Sequence, residues 1–212
     1  MRDPDPADAR LLDAAVVAGG LGVKYTQAHR AYHNLLHVED VLLRIEELSP
    51  PRDSELPLAL AAWFHDAIYQ PDRDDNEERS AYIAFDALEQ VGGSPELIAE
   101  VVRLVRLTAT HQPSRADAAG SILSDADLAI LGATRERYVT YAQGIRQEYI
   151  HIPQDAYRAG RARVLRGFLD RPHIYATDYG RDRWEAQARE NLQAEISGCE
   201  AAGHRDEQAG SP

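Results

Sequence analysis

Few polar side chains interrupt the apolar helical pattern of this chain, and those that do are of the types that hold metal ions. They are His33 and His37 in YHNLLHVEDV, His65 and Asp66 in LPLALAAWFHDAIY, His111 in LTATHQ, and Asp125 and Asp127 in ILSDADLAILG. An unpaired carboxylate in an apolar interior consumes much of the small net stability a domain has, so Asp66 needs a compensating charge. Imidazole nitrogen and carboxylate oxygen together form the ligand set of a borderline-to-hard divalent ion: Mn, Fe, Co, Ni, Zn or Mg. Such an ion would supply that compensation.

Each piece alone has a plainer reading. His33 and His37 stand four apart, as in the zinc-protease motif, but that motif needs a Glu after its first His and Asn34 stands there. A metalloprotease is excluded, and as an isolated pair the two read more simply as core histidines bonded to neighbours. A His-Asp dipeptide can arise from a helix cap and a ring-to-carbonyl bond. Here it falls in the last turns of the most apolar segment, not at a helix start, and a long His and a short Asp about 100° apart can lean toward one ion. Asp125 reads equally as an N-cap, whereas Asp127 has the apolar Ile130 and Leu131 at its i+3 and i+4 positions and faces the core.

The elements that must carry these residues are helices, because apolar positions recur at three and four and strand signals are almost absent. The pattern predicts helices near 7–18, 32–48, 56–69, 76–91 and 95–108, then a loop over 112–121. A short apolar stretch with the two aspartates follows, then helices near 135–150, 156–169 and 184–196. The segment 56–69 is apolar nearly all round and should be central. The expectation is an all-α, irregular bundle of about nine helices forming one domain over 1–202, with a disordered polar tail at 203–212.

Composition narrows the partners. With 23 Lys plus Arg against 35 Asp plus Glu in 212 residues, the formal net charge is -12, which repels nucleic-acid backbones and anionic lipid. No polynucleotide and no membrane partner is expected, while a small phosphorylated molecule can still enter by a local basic spot. The lone Cys199 has no internal disulfide partner. Residues 1–10 lack a signal-peptide core, and no 18 apolar residues run together. A cytoplasmic location is the expectation, and oligomeric state has no signature.

Taken in order, His37, then His65-Asp66, then a distal Asp in an Ala-Asp-Leu context, the chain resembles the HD-domain superfamily of metal-dependent phosphohydrolases. YHNLLHVEDVL, AAWFHDAIYQPDRDDNEERSA, TATH at 108–111, SDADLAILGA, IRQEY at 145–149 and AREN at 188–191 together resemble one bacterial branch of predicted HD phosphohydrolases. The likeness spans roughly residues 25–195. It implies an HD-like helical fold and one divalent metal held by His37, His65, Asp66 and an aspartate of the DAD stretch. Ala126-Asp127-Leu128 fits the family pattern better, and Asp125 is the alternative. Binuclear members have two further histidines between HD and the last Asp; here only His111 lies there, which implies a single ion with His111 turned to the substrate phosphate.

The resemblance further implies hydrolysis of a phosphate ester or anhydride of a small molecule, a nucleotide foremost. Asp66 or Glu77 of DNEERSA would take the proton, since Ile68-Tyr69-Gln70 stands where some HD enzymes carry a Glu-Asp pair. Arg30, His33 and Lys24 are cations available to the phosphate, and Tyr149 is a pocket residue or a core-edge tyrosine. Two other readings remain: a catalytically inactive HD module that senses a ligand or partner protein, and a structural helical protein.

Overall fold

The computed structural model of the chain describes residues 5–209, with side chains described through residue 200. The tail expected to be disordered, 203–212, lies outside the described side chains. Among the described residues there are ten α-helices, one 3-10 turn and no strand, so the all-α expectation holds. The backbone groups into two compact units, Met1–Asp127 and Leu128–Pro212.

The first unit carries α1 (Pro6–Ala18), α2 (Leu21–Lys24), α3 (Leu35–Glu47), α4 (Arg52–Phe64), α5 (Asn76–Gln90), α6 (Pro95–Leu107) and α7 (Ala118–Leu128). Helix α4 is the central one, packing on α1, α3, α5 and α6. Its Leu58, Leu60 and Phe64 are fully buried, together with Val38 of α3, Ala84 and Leu88 of α5, Leu104 and Val105 of α6, and Leu123 of α7. Each Val, Leu or Phe side chain among them contributes about 1.5–3 kcal/mol by leaving water. Close approach of α1 to α4 depends on Gly19, where a Cβ would stand 2.7 Å from Phe64 Cε1. Gly20 then turns the chain at φ +62°, a conformation open to glycine.

Several boundaries differ from the sequence reading, and each has a local cause. Helix α3 begins at Leu35, not near Tyr32, because the Asn34 side chain accepts from Leu36 N at 2.9 Å and caps it. His33 therefore precedes the helix, and the i, i+4 helical relation to His37 does not apply. Helix α4 stops at Phe64 instead of Tyr69, and His65 and Asp66 occupy the turn that follows. Helix α7 starts at Ala118, inside the expected loop. Asp117 supplies its capping bond, Oδ1 accepting from Gly120 N at 2.8 Å, so Asp125 lies within the helix and is not its cap.

The second unit carries a 3-10 turn (Ala129–Gly132), α8 (Arg135–Glu148), α9 (Gln154–Leu169) and α10 (Asp178–Ala209). Helix α10 packs on α9 and on the 3-10 turn, and begins six residues earlier than its apolar pattern indicates. Asn191, from AREN, is buried and donates to Leu131 O and Ala133 O at 2.8 and 2.9 Å. Arg161 pairs with Glu195 at 2.9 Å, and Glu195 also accepts from the Tyr138 hydroxyl at 2.5 Å. No helix among the described residues is long and apolar enough to cross a membrane.

The turn after α4 is bolted to α5. Ser80 Oγ accepts from Ile68 N at 2.9 Å, and Asn76 both accepts from Gln70 N at 3.1 Å and donates to Gln70 O at 2.9 Å. Ser80 is fully buried, so Ser80→Ala strands the Ile68 amide in an apolar place. Urea denaturation of that variant is expected to show a loss of about 1–3 kcal/mol; an unchanged midpoint would mean the turn is held by other contacts.

Candidate metal centre

The three elements that bring the donors together do so by their ends. The Asn34 cap sets His37 in the first turn of α3, and Asn34 Nδ2 donates back to Ala31 O at 3.1 Å, fixing the entering chain. Helix α4 ends with His65 N donating to Ala61 O at 2.9 Å, while His65 Nδ1 donates to Ala62 O at 2.8 Å. A carbonyl can only accept, so Nδ1 carries a proton and Nε2 of the neutral ring presents its lone pair, the tautomer a metal ligand needs. Asp66 follows directly, and Asp127 arrives from the last turn of α7.

Four donor atoms converge. His37 Nε2 stands 3.1 Å from His65 Nε2, 3.5 Å from Asp66 Oδ2 and 3.1 Å from Asp127 Oδ1. His65 Nε2 stands 3.0 Å from Asp66 Oδ2 and 3.7 Å from Asp127 Oδ1. Donors held about 2.1 Å from one ion lie about 3.0 Å apart when adjacent on an octahedron and about 3.4 Å apart on a tetrahedron. The separations, 3.0–3.7 Å, lie at or slightly above those values, the donor types are those of a divalent ion, and His37, His65 and Asp127 form a group able to hold one. All four residues belong to the first unit, with His37, His65 and Asp66 buried.

Asp127 rather than Asp125 meets the imidazoles. Two residues along a helix is a rotation of about 200°, so the fully buried Asp125 is carried to another side of α7. His111 follows α6 with φ +50°, an uncommon but accessible conformation for His. Its Nε2 lies 3.6 Å from Asp127 Oδ2, opposite the oxygen that faces His37. His33 packs on Tyr69, ring centroids 4.0 Å apart, and edge-on to His37 at 5.6 Å. Arg30 directs its donors to carbonyls of the site's own backbone. Glu77 sits in the first turn of α5, half-buried. Tyr149 is in the second unit at the end of α8, its ring 6.4 Å from His151 and 6.1 Å from Tyr157.

The electrostatics follow from crowding acids and imidazoles together. Burial disfavours charge on His65, yet Asp66 and Asp127 overcome it and push the ring up to about 10. Burial likewise opposes charge on Asp66 and Asp127, but the histidines hold both carboxyls well below the usual carboxylate range. Glu77 goes the other way: burial raises it, and the charge of Asp66 adds to the rise. The second nitrogen of His37, Nδ1, is buried without a hydrogen-bond partner. That ring can keep its proton on Nε2, facing Asp127, or release the inward nitrogen to a cation by moving the proton to Nδ1.

Sequence reasoning missed the supports of this cluster. Asn76 and Ser80 stood in NEERS as two polar residues four apart on the face that carries Ala84 and Leu88, a signal that was there to read. Arg30 stood out only as a cation available to a phosphate; its bonds to the carbonyls of His33, Asp66 and Ala67 have no mark in a sequence.

A metal ion must compete with the proton on His65. The imidazolium's contribution to stability is full below about 6.5 and is lost as pH rises through about 10, so metal affinity should climb over the same interval. Calorimetric titration with Mn(II) or Zn(II) in buffers of different ionisation enthalpy is expected to show about one proton released at pH 7, with affinity rising up to about tenfold per pH unit. Binding that is independent of pH from 7 to 9 would contradict it. No family model matches the chain, and neither the curated proteins nor the solved structures contain a match.

Proposed function

We propose that the chain is a metal-dependent phosphohydrolase of the HD type, hydrolysing a phosphate ester or anhydride of a small molecule, a nucleotide foremost. The observation that carries this reading is that His37 Nε2, His65 Nε2 and Asp127 Oδ1 lie within 3.1–3.7 Å of one another, with Asp66 Oδ2 3.0 and 3.5 Å from the two imidazole nitrogens. These four residues would hold the ion. When bound, a divalent ion supplies a lowered water pKa and neutralises charge on a phosphoryl oxygen.

The chain's own residues divide the remaining work. Asp66, held well below the usual range by its histidine neighbours, stays ionised and serves as a ligand instead of a base. Glu77, raised by burial, is the better proton acceptor, because a base works best when its pKa approaches the working pH. One of its carboxyl oxygens takes the proton from the attacking water as the new P–O bond forms and the bond to the leaving oxygen breaks, and returns it to that oxygen. His111, next to Asp127, and His33, next to His37, would bind the other phosphoryl oxygens through ring N–H groups. The apolar core around Phe64 and Val38 keeps bulk water from the donors.

The test is a panel of nucleotides and phosphomonoesters with Mn, Mg, Co, Ni, Fe or Zn, alongside metal analysis of protein purified without chelator. His65→Ala and Asp66→Ala are expected to lose both metal and turnover. Glu77→Gln should keep the metal and lose roughly 10²- to 10⁴-fold in kcat. Wild type that holds no ion would end the metal reading, and an ion held with no turnover across the panel would leave a binding module in its place.

A further inference from the structure

We infer that Arg30 is a positioning residue of the metal centre, holding the backbone on both sides of the donor cluster in register through its planar guanidinium. The inference rests on the metal-site reading above and concerns how that site is kept in shape.

Arg30 is 6% exposed, and its guanidinium reaches backbone on two segments. Nη1 donates to His33 O at 2.9 Å and to Asp66 O at 2.8 Å, and Nη2 donates to Ala67 O at 3.1 Å. Nε donates to Gln27 Oε1 at 3.2 Å, which orients the fork from behind. The charged group lies over two rings, 5.0 Å from the centroid of Tyr25 and 5.6 Å from that of Tyr69. Tyr25 is itself anchored, its hydroxyl donating to Trp63 O at 2.8 Å in the last turn of α4.

One side chain thus joins the segment leading into His37 to the turn carrying His65 and Asp66. These two segments meet by no β-ladder or shared helix, so their register must come from side chains. The carbonyls at 66 and 67 lie past the end of α4, where helical bonding has stopped and acceptors need outside donors. A flat fork can satisfy these two and His33 O at once, whereas an ammonium presents a point charge with no fixed plane. Outer partners of this kind typically govern metal affinity by roughly 10- to 100-fold.

The test is metal affinity, measured by competition with a fluorescent chelator for Mn(II) or Zn(II) on the full chain. Folding is checked by circular dichroism and by thermal melts with and without metal. Arg30→Lys keeps the charge and loses the fork; it is expected to bind metal about 10-fold or more weakly and to gain less thermal stability from the ion than wild type does. A purely electrostatic role predicts affinity rescued by Lys, and a purely structural role predicts equal loss of melting temperature with and without metal at unchanged affinity; either result overturns the inference. Should Arg30→Lys fail to fold, Gln27→Ala decides, since it frees only Nε: a few-fold weaker affinity supports the role and an unchanged affinity refutes it. Wild type that binds no ion fails the metal reading itself, whereas normal affinity in a folded Arg30→Lys fails this inference alone.

Discussion

A carboxylate cannot be held in an apolar interior unless positive charge or donors stand beside it, and the donor cluster of the first unit meets that condition for two of them. Asp66 and Asp127 each lie within hydrogen-bonding or ion-pair reach of the same two imidazoles. His65 answers by taking up a proton far more readily than a free ring does, and the carboxyls by giving theirs up more readily. Such a cluster already attracts cations, so a divalent ion gains from the arrangement whatever reaction it serves. Uncompensated, the same four residues would be among the most costly in the fold.

The site is built at interruptions of helices and not along their faces. His37 is in a first turn, His65 and Asp66 just beyond a last turn, and Asp127 close to another end. Helix termini leave backbone groups without partners, and here those groups are taken up locally: Ala62 O by His65, the 66 and 67 carbonyls by Arg30, the amides of 68 and 70 by Ser80 and Asn76. The bonds that finish the helices also orient the donors, so local stability and site geometry are set by the same contacts.

This explains which parts could be read from the sequence. Helices such as α5 and α6 were plain because their apolar positions repeat with the helical period and Ser94-Pro95 starts α6. The four donors could be picked out because a polar residue in an apolar run is conspicuous. The sequence pattern extends α4 through 65–69 because Ala67, Ile68 and Tyr69 continue the apolar composition; composition reports burial, and these residues are buried or nearly so without being helical. The cap at Asn34 is made with the Leu36 amide and the grip of Arg30 with main-chain carbonyls, and main-chain groups have no letter in a sequence. The apolar Ile130 and Leu131 already favoured Asp127 over Asp125, and the helix that begins at Ala118 puts the two on different sides.

The order of the donors along the chain has a consequence for how a newly made molecule matures. His37 is synthesised first, His65 and Asp66 soon after, and Asp127 roughly ninety residues behind the first. At ribosomal speeds of about 5–20 residues per second, several seconds separate the first donor from the last. For most of that interval the nascent polypeptide has two imidazoles and one carboxylate, an incomplete set that would grip an ion more loosely than the full one. The full set exists only once α7 has emerged and folded back, so an ion held here would be acquired as the closing act of the first unit's biogenesis.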